Sequence, residues 1–216
     1  NLYNNSQTKI QKVWSFIKFI FQSIVVAAKE KNVDLVYATS TPLTIGAVAL
    51  ALRAIKGWRY VFEVRDLWPE FPIQVGAVTN PILIWLLRKF EKRIYKRSEH
   101  VVALSPGMQE GVIMAGTPIE KTSMIPNMSK PDIFYPHEVN MDIVKQFGID
   151  LTKFNVIHFG MLAVANGLDY IIKAAIELKK RGDSSIQFLF MGEGAMQPML
   201  EEMVKENGLN NVRFLG

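Results

Sequence analysis

The chain has 216 residues, 49% hydrophobic and 21% charged, a composition that excludes disorder and suffices for one large or two small cores. Cysteine is absent, which excludes disulfides, thiol nucleophiles and cysteine-ligated zinc, and leaves three histidines for metal or base chemistry. The net charge of +5 favours an anionic partner, whether a phosphate ligand, an anionic lipid surface or nucleic acid.

From Lys9 to Lys31 the apolar set Ile10, Val13, Trp14, Ile17, Phe21, Ile24, Val25 and Ala28 recurs at helical spacing, beside a narrow polar stripe of Gln11, Ser15, Lys18 and Gln22. The pattern predicts a helix that is mostly buried or rests on something apolar. Its most apolar run, Val13 to Ala28, is too polar and too short to span a bilayer securely. Leu35 to Ala38 reads as a strand, Leu43 to Lys56 as a helix started by Thr41 or its neighbours and closed by Gly57, and Arg59 to Val64 as the next strand. Arg65, Asp66, Trp68, Pro69 and Glu70 follow within a few residues. Charges gathered at the carboxyl end of a parallel strand lie where open α/β sheets bind ligands.

Asn80-Pro81 offers an N-cap and a first-turn proline for a helix whose apolar face is Leu83, Leu86, Leu87, Phe90 and Ile94, ending at Ser98. Arg88, Lys89, Lys92, Arg93, Lys96 and Arg97 give that helix a basic side, with Ile84 and Trp85 off the core face. Val101 to Leu104 is strand-like, Ser105-Pro106 starts a helix ending near Gly116, and Thr122 to Ile125 is a strand. The alternation predicts a mostly parallel sheet covered on both faces.

Pro131, Pro136 and weak periodicity between Asn127 and Asn140 suit an interdomain connection. A second α/β series follows: strand Asn155 to Phe159 ending at Gly160, helix Leu168 to Arg181, strand Ile186 to Met191 ending at Gly192-Glu193-Gly194, helix Gln197 to Asn207, and strand Asn211 to Leu215. Gly160 and Gly167 bracket a strand-to-helix loop whose amides and helix dipole suit a diphosphate. Gly192 and Gly194 lack a third glycine at Gln197, so they make a strand-to-helix turn rather than a dinucleotide fingerprint. For Gly194 a purely conformational role weighs equally. His100, His137 and His158 are scattered, so no metal site is expected; His158 reads as a satisfied strand residue beside Gly160.

The runs Ala38-Thr39-Ser40-Thr41-Pro42-Leu43-Thr44, Phe62 to Glu70, Leu104-Ser105-Pro106-Gly107-Met108, Ile125-Pro126-Asn127, His158-Phe159-Gly160-Met161-Leu162, Asn166-Gly167-Leu168 and Met191-Gly192-Glu193-Gly194 resemble, in this order, GT-B glycosyltransferases of family four. The likeness is greatest to the bacterial surface-polysaccharide branch with the WbuB-type fucosaminyl transferases, and it covers nearly the whole chain from Asp34 onward. It implies two Rossmann-like parallel-sheet domains, both incomplete. Residues 1–130 would be the later part of the acceptor-side domain, 131–140 the linker and 141–216 the early part of the nucleotide-sugar domain. The chain is thus expected to be a piece of a longer protein, cut at both ends and inactive alone.

The resemblance further implies a retaining transfer from a nucleotide diphosphate sugar, as substrate and with no other cofactor, to a lipid-linked or saccharide acceptor in polysaccharide synthesis. Asp66 would orient or deprotonate the acceptor, and Arg65 would hold a phosphate. Glu70, Ser40, Thr41 and Asn127 are further substrate contacts, and Gly160, Met161, Asn166, Gly167, Gly192 and Glu193 contact the donor. Many relatives place a basic residue where this chain has Met161 and another where it has Asn166. The bland reading of Arg65, Asp66 and Glu63 is an ion-pair network, with Trp68 packing a turn.

A cytoplasmic protein, peripheral on the inner membrane face through the basic helix, completes the expectation. Its rivals are a sugar-nucleotide epimerase of the same fold and a non-catalytic membrane-associated subunit. Nucleic-acid binding is disfavoured by the absence of a recognisable module.

Overall fold

The computed structural model describes residues 9–40 and 42–216, the side chains of Lys9, Ile10, Lys12 and Val13 excepted; the candidate contact Thr41 lies outside the described residues. The chain divides into two compact units between Lys130 and Pro131. The first comprises α1 (Lys9–Ala27), β1 (Val36–Thr39), α2 (Ile45–Lys56), β2 (Tyr60–Val64), α3 (Glu70–Gln74), α4 (Pro81–Arg97), β3 (His100–Ala103), α5 (Pro106–Met114) and β4 (Thr122–Met124). Its strands are parallel and lie side by side in chain order, with Ala38 opposite Phe62, Phe62 opposite Val101, and Val101 opposite Thr122.

Local signals start and stop these elements. The Asn80 side chain accepts the Ile82 and Leu83 amides at 3.0 and 3.1 Å, Ser105 accepts that of Met108 at 3.3 Å, and Gly57 closes α2 in the left-handed region at φ 71°. Replacing Asn80 by Ala should therefore cost about 1 kcal/mol, read as a shift in the urea unfolding midpoint.

One core holds this unit together. Tyr60, Phe62, Val64, Val101 and Ala38 project from one face of the sheet against Ala49 of α2, Ile94 and Tyr95 of α4, and Val112 of α5. Parallel strands laid down in chain order with right-handed crossovers carry their helices on a single side. The expected covering of both faces is therefore not found among the described residues, and Tyr37 on the opposite face is 57% exposed.

Two predicted faces also turn out differently. Trp14, Ile17, Phe21 and Val25 of α1 are exposed, and the half-buried side is that of Phe16, Ile20, Ile24 and Ala27, of which Ile24 belongs to the predicted set. In a helix apolar almost all round, periodicity does not single out the packed side. On α4, Leu83 and Leu86 are exposed, while Glu91, Ile94 and Tyr95 are buried. A 17-residue helix is about 25 Å long against about 13 Å for a four-residue strand, so α4 outruns the sheet and its first half lies beyond the core.

The second unit comprises α6 (Met141–Phe147), β5 (Phe154–Phe159), α7 (Asp169–Lys180), β6 (Ile186–Met191), α8 (Gln197–Glu206) and β7 (Val212–Phe214), with a parallel sheet in the order β5-β6-β7. Phe188, Phe190 and Val212 meet Ile172 and Ala175 of α7 and Leu200 of α8. Helix α6 was not anticipated, although Asn140 caps it through the Asp142 amide at 2.9 Å and Gly148 ends it at φ 57°.

Candidate functional site

In the first unit, the candidate residues gather at the carboxyl ends of β1 and β2. The buried Ser40 donates its amide to the Glu63 carbonyl at 2.8 Å, and its hydroxyl accepts the Arg65 amide at 2.9 Å. That pair of bonds fixes the turn on which Arg65 and Asp66 stand exposed. The Trp68 amide donates to the Asp66 carbonyl at 2.9 Å, the Trp68-Pro69 peptide is cis, and the Trp68 ring packs on the core. Glu70 is held by Arg88, which donates through Nε at 2.8 Å and Nη2 at 3.1 Å. Asn127 is exposed beyond the end of β4.

Tyr37 joins this cluster without having been singled out in the sequence. Partial burial and then the neighbouring Glu63 carboxylate raise its hydroxyl pKa, while Arg65 pulls it down. An alternating strand places Tyr37 and Glu63 on one face, since Tyr37 pairs with Val61 and Thr39 with Glu63. Glu91 also escaped notice. It is 5% exposed on the inner side of α4, and burial first, with Glu70 adding to it, pushes its carboxyl up to about 7. A lone acid at a core-side position of an apolar helix face is the signal that could have found it.

In the second unit, two loops at the carboxyl ends of β5 and β6 are zipped together by backbone. Gly160 donates to the Met191 carbonyl at 2.9 Å, Leu162 to Glu193 at 3.0 Å, and Met196 to Leu162 at 3.0 Å. The approach leaves no space for side chains: a Cβ on Gly192 would lie 2.1 Å from the Gly160 oxygen, and one on Gly194 would lie 2.3 Å from the Leu162 oxygen. The Asn166 side chain donates to the Met161 carbonyl at 2.6 Å, and Gly167, at φ 58°, turns the chain into α7.

The amides of Gly160, Gly167 and Gly192 are taken by the carbonyls of Met191, Val164 and Gly216. Those of Met161, Leu168, Glu193 and Gly194 have no hydrogen-bond partner among the described residues. Leu168 is buried at the root of α7, whereas Met161, Asn166 and Glu193 are exposed. Asp169 in the first turn is neutralised by Lys173 at 2.6 Å, so the positive end of α7 is not cancelled by a bare carboxylate. Together these groups suit an anion held by main-chain donors.

His158 does lie in β5, with its ring 6.2 Å from that of Phe190, but its Nε2 is buried without a partner, contrary to the satisfied role expected of it. His100 contacts the Ser123 hydroxyl at 2.8 Å and His137 the Tyr135 carbonyl at 2.9 Å. No cluster able to hold a metal ion occurs among the described residues.

Residues 6–128 match a family model described as a glycosyl transferase 4-like domain. The putative colanic acid biosynthesis glycosyl transferase WcaI of Escherichia coli is 26% identical over 168 residues, 76% of this chain and 40% of its own. The alpha-galactosylglucosyldiacylglycerol synthase of Streptococcus pneumoniae is 26% identical over 149 residues, 65% of this chain and 38% of its own. The structure of Anabaena HepE in complex with UDP and glucose superposes with a TM-score of 0.70 at 21% identity, covering 91% of this chain and 50% of that one. Sucrose-phosphate synthase from Thermosynechococcus elongatus gives 0.73 at 18% identity, covering 97% and 51%. The chain thus spans half or less of the length of the curated relatives it matches, and the likeness to the solved structures shows the fold, an α/β arrangement of GT-B type.

Proposed function

The chain belongs to the glycosyl transferase 4-like domain family, and from that premise we propose that it is part of a retaining glycosyltransferase of surface-polysaccharide synthesis, in the WbuB-like branch. The sugar would pass from a nucleotide diphosphate donor to a lipid-linked or saccharide acceptor. The observation that carries this reading is the zipped pair of loops at the ends of β5 and β6, with the uncommitted amides of Met161, Leu168, Glu193 and Gly194 beside the start of α7. The colanic acid and glycolipid enzymes among the relatives support the choice of acceptor class.

Glycosyl transfer needs the departing diphosphate stabilised while positive charge develops at the anomeric carbon. Main-chain amides and the positive end of α7 suit the first task. They also make basic side chains at Met161 and Asn166 dispensable, because Asn166 serves by holding the loop. Gly160, Gly167 and Gly192 act through conformation, their own amides being engaged. In the first unit, Asp66 orients or deprotonates the acceptor hydroxyl and Arg65 takes a phosphate, both on the turn that Ser40 fixes. Glu70 and Asn127 serve as acceptor contacts, Glu70 as a carboxylate set by Arg88.

The test is a transfer assay on the full-length protein with a panel of nucleotide sugars and membrane-lipid acceptors, scoring product and anomeric configuration. A lipid- or saccharide-linked product with retained configuration supports the reading; an isomerised nucleotide sugar without acceptor points to an epimerase and sinks it. Asp66→Ala should lower turnover by about 10²- to 10⁴-fold with the fold and donor binding intact.

This reading puts the protein on the cytoplasmic face of a membrane, where such a donor is made available. No helix among the described residues is long and apolar enough to cross a bilayer. Contact instead falls to α4, whose exposed Ile82, Leu83, Trp85 and Leu86 adjoin a basic side, with Lys89 Nζ 3.8 Å from the Trp85 ring centroid. Each basic residue near an anionic surface contributes ~1 kcal/mol, so Lys89→Ala with Arg93→Ala should lower partition onto phosphatidylglycerol vesicles roughly 30-fold. Sedimentation unchanged by the double substitution would count against this contact.

A further inference from the structure

A cavity of about 350 Å³, at the small end of the range of ligand sites, opens where the last turns of α4 and α5 approach the start of β4. It lies at the amino ends of β3 and β4, so the length of the parallel sheet separates it from Arg65 and Asp66, which follow the carboxyl end of β2. Lys92 and Lys96, one turn apart on α4, form one wall with Lys121, and the segment from Ala115 to Pro118 forms the other. Gly116, at φ 99°, makes room for Lys92: a Cβ there would lie 3.3 Å from Nζ.

Three ammonium groups and no carboxylate line this space. Glu99, whose charge reaches Lys121, is paired with Arg53 at 2.7 Å, and Glu120 is not part of the lining. The carbonyls that would repel an anion are engaged. Lys121 donates to those of Tyr95 and Lys96 at 3.0 Å, and at the end of α5 Gly111, Val112 and Ile113 accept the Ala115, Thr117 and Gly116 amides. Capping of the helix end therefore explains Lys121, which keeps one N–H uncommitted, but not Lys92 or Lys96, whose side chains form no hydrogen bond or ion pair among the described residues. Thr117 adds a donor: it is 5% exposed, and its hydroxyl bonds to no other described residue.

This lining discriminates between ligands. An apolar guest would desolvate three charges without compensation, and a neutral sugar would leave them unneutralised. A phosphoryl dianion meets the demand, its oxygens accepting from the lysines and from Thr117. The volume admits one phosphoryl group with a few carbons, which sets aside a nucleic-acid strand.

We propose that this cavity binds a phosphoryl group, borne by a small soluble molecule or a lipid headgroup, through Lys92, Lys96, Lys121 and Thr117. The site is separate from the transfer site and rests on no reading of it, so a chain that transfers nothing would still show it.

Backbone NMR of the full chain at physiological salt, with inorganic phosphate and glycerol 3-phosphate as probes, measures the binding. The Gly116, Thr117 and Lys121 amides should shift saturably in the millimolar range, while those of Arg65 and Asp66 stay in place. Lys92→Met with Lys96→Met, both exposed, should keep the urea midpoint and weaken the probe by roughly tenfold or more. Thr117→Val should weaken it roughly threefold. Vesicles distinguish the sources: a preference for phosphatidic acid over phosphatidylglycerol at equal surface charge, lost in the double lysine variant, would assign the phosphoryl group to a lipid even without shifts from the soluble probes. The proposal is overturned if the soluble probes give no shifts and the vesicles no such preference, if affinity survives the double lysine variant, or if sodium nitrate gives the same shifts, which would leave charge screening only.

Discussion

Gly194→Ala should destabilise the second unit by about 3 kcal/mol or more and abolish nucleotide-sugar binding, and Gly192→Ala should do the same. The added Cβ at position 194 would fall 2.3, 2.6 and 2.7 Å from the O, C and N atoms of Leu162. Backbone cannot swing aside as a side-chain tip can, so relief requires prying the β5 and β6 loops apart. That would break the bonds from Leu162 to Glu193 and from Met196 to Leu162. Gly192 adds a conformational penalty, since its φ of 133° is one that L side chains rarely adopt. Gly182→Ala is the control: its φ of 70° strains a side chain, but nothing lies within 4 Å of the new Cβ, so about 1 kcal/mol is expected. Urea unfolding followed by the second unit's signals separates the cases. Equal losses for Gly194→Ala and Gly182→Ala would refute the close-approach argument.

A comparable effect should come from Glu91, through pH. Its carboxyl is raised from 4.5 to about 7 in the folded chain, mainly by burial. A raised folded value means that the native state holds the proton more tightly than the unfolded one. Stability from this group is therefore complete below pH 4.5 and declines as pH rises to about 7, by about 3 kcal/mol in all. Glu99, Asp150, Asp169, Glu177 and Asp183 are shifted downward, so their contributions vanish on the acid side and leave this window clear. Glu91→Gln keeps the shape without the charge. It should leave stability near pH 4.5 almost unchanged and raise it at pH 8, flattening the profile of denaturant midpoints between them. Parallel profiles for the two proteins would show that Glu91 does not titrate as described.

The elements most legible in the sequence were those with a chemical stop at each end. Asn80-Pro81, Ser105-Pro106 and Gly57 announced their helices because capping is a local interaction, decided by residues within one turn. Helix α6 had the same punctuation in Asn140 and Gly148, but seven residues are too few for periodicity to register. Faces were harder to read than elements. The side of α1 that packs, and the point at which α4 leaves the sheet, depend on strand length and on helices gathering on one face, which the alternation of apolar residues does not encode.

The site divides in the same way. That charges cluster after β2 was plain from Arg65, Asp66 and Glu70, whereas the bond from the Arg65 amide to Ser40 spans 25 residues and the pairing of Glu70 with Arg88 spans 18. In the second unit the glycines were visible, but the sequence could not say what each one spares. Gly192 and Gly194 admit backbone from the same chain, and the amides left over belong largely to their neighbours.

Those amides offer the most direct test of donor binding. Backbone NMR of the full chain would follow Met161, Leu168, Glu193 and Gly194 during titration with UDP-glucose and with whichever nucleotide sugar supports transfer. Large, saturable shifts at these four amides, lost when the diphosphate is replaced by the free sugar, are the predicted outcome. Unperturbed resonances at all four under a nucleotide sugar that the protein demonstrably consumes would contradict a diphosphate seated on the β5 and β6 loops.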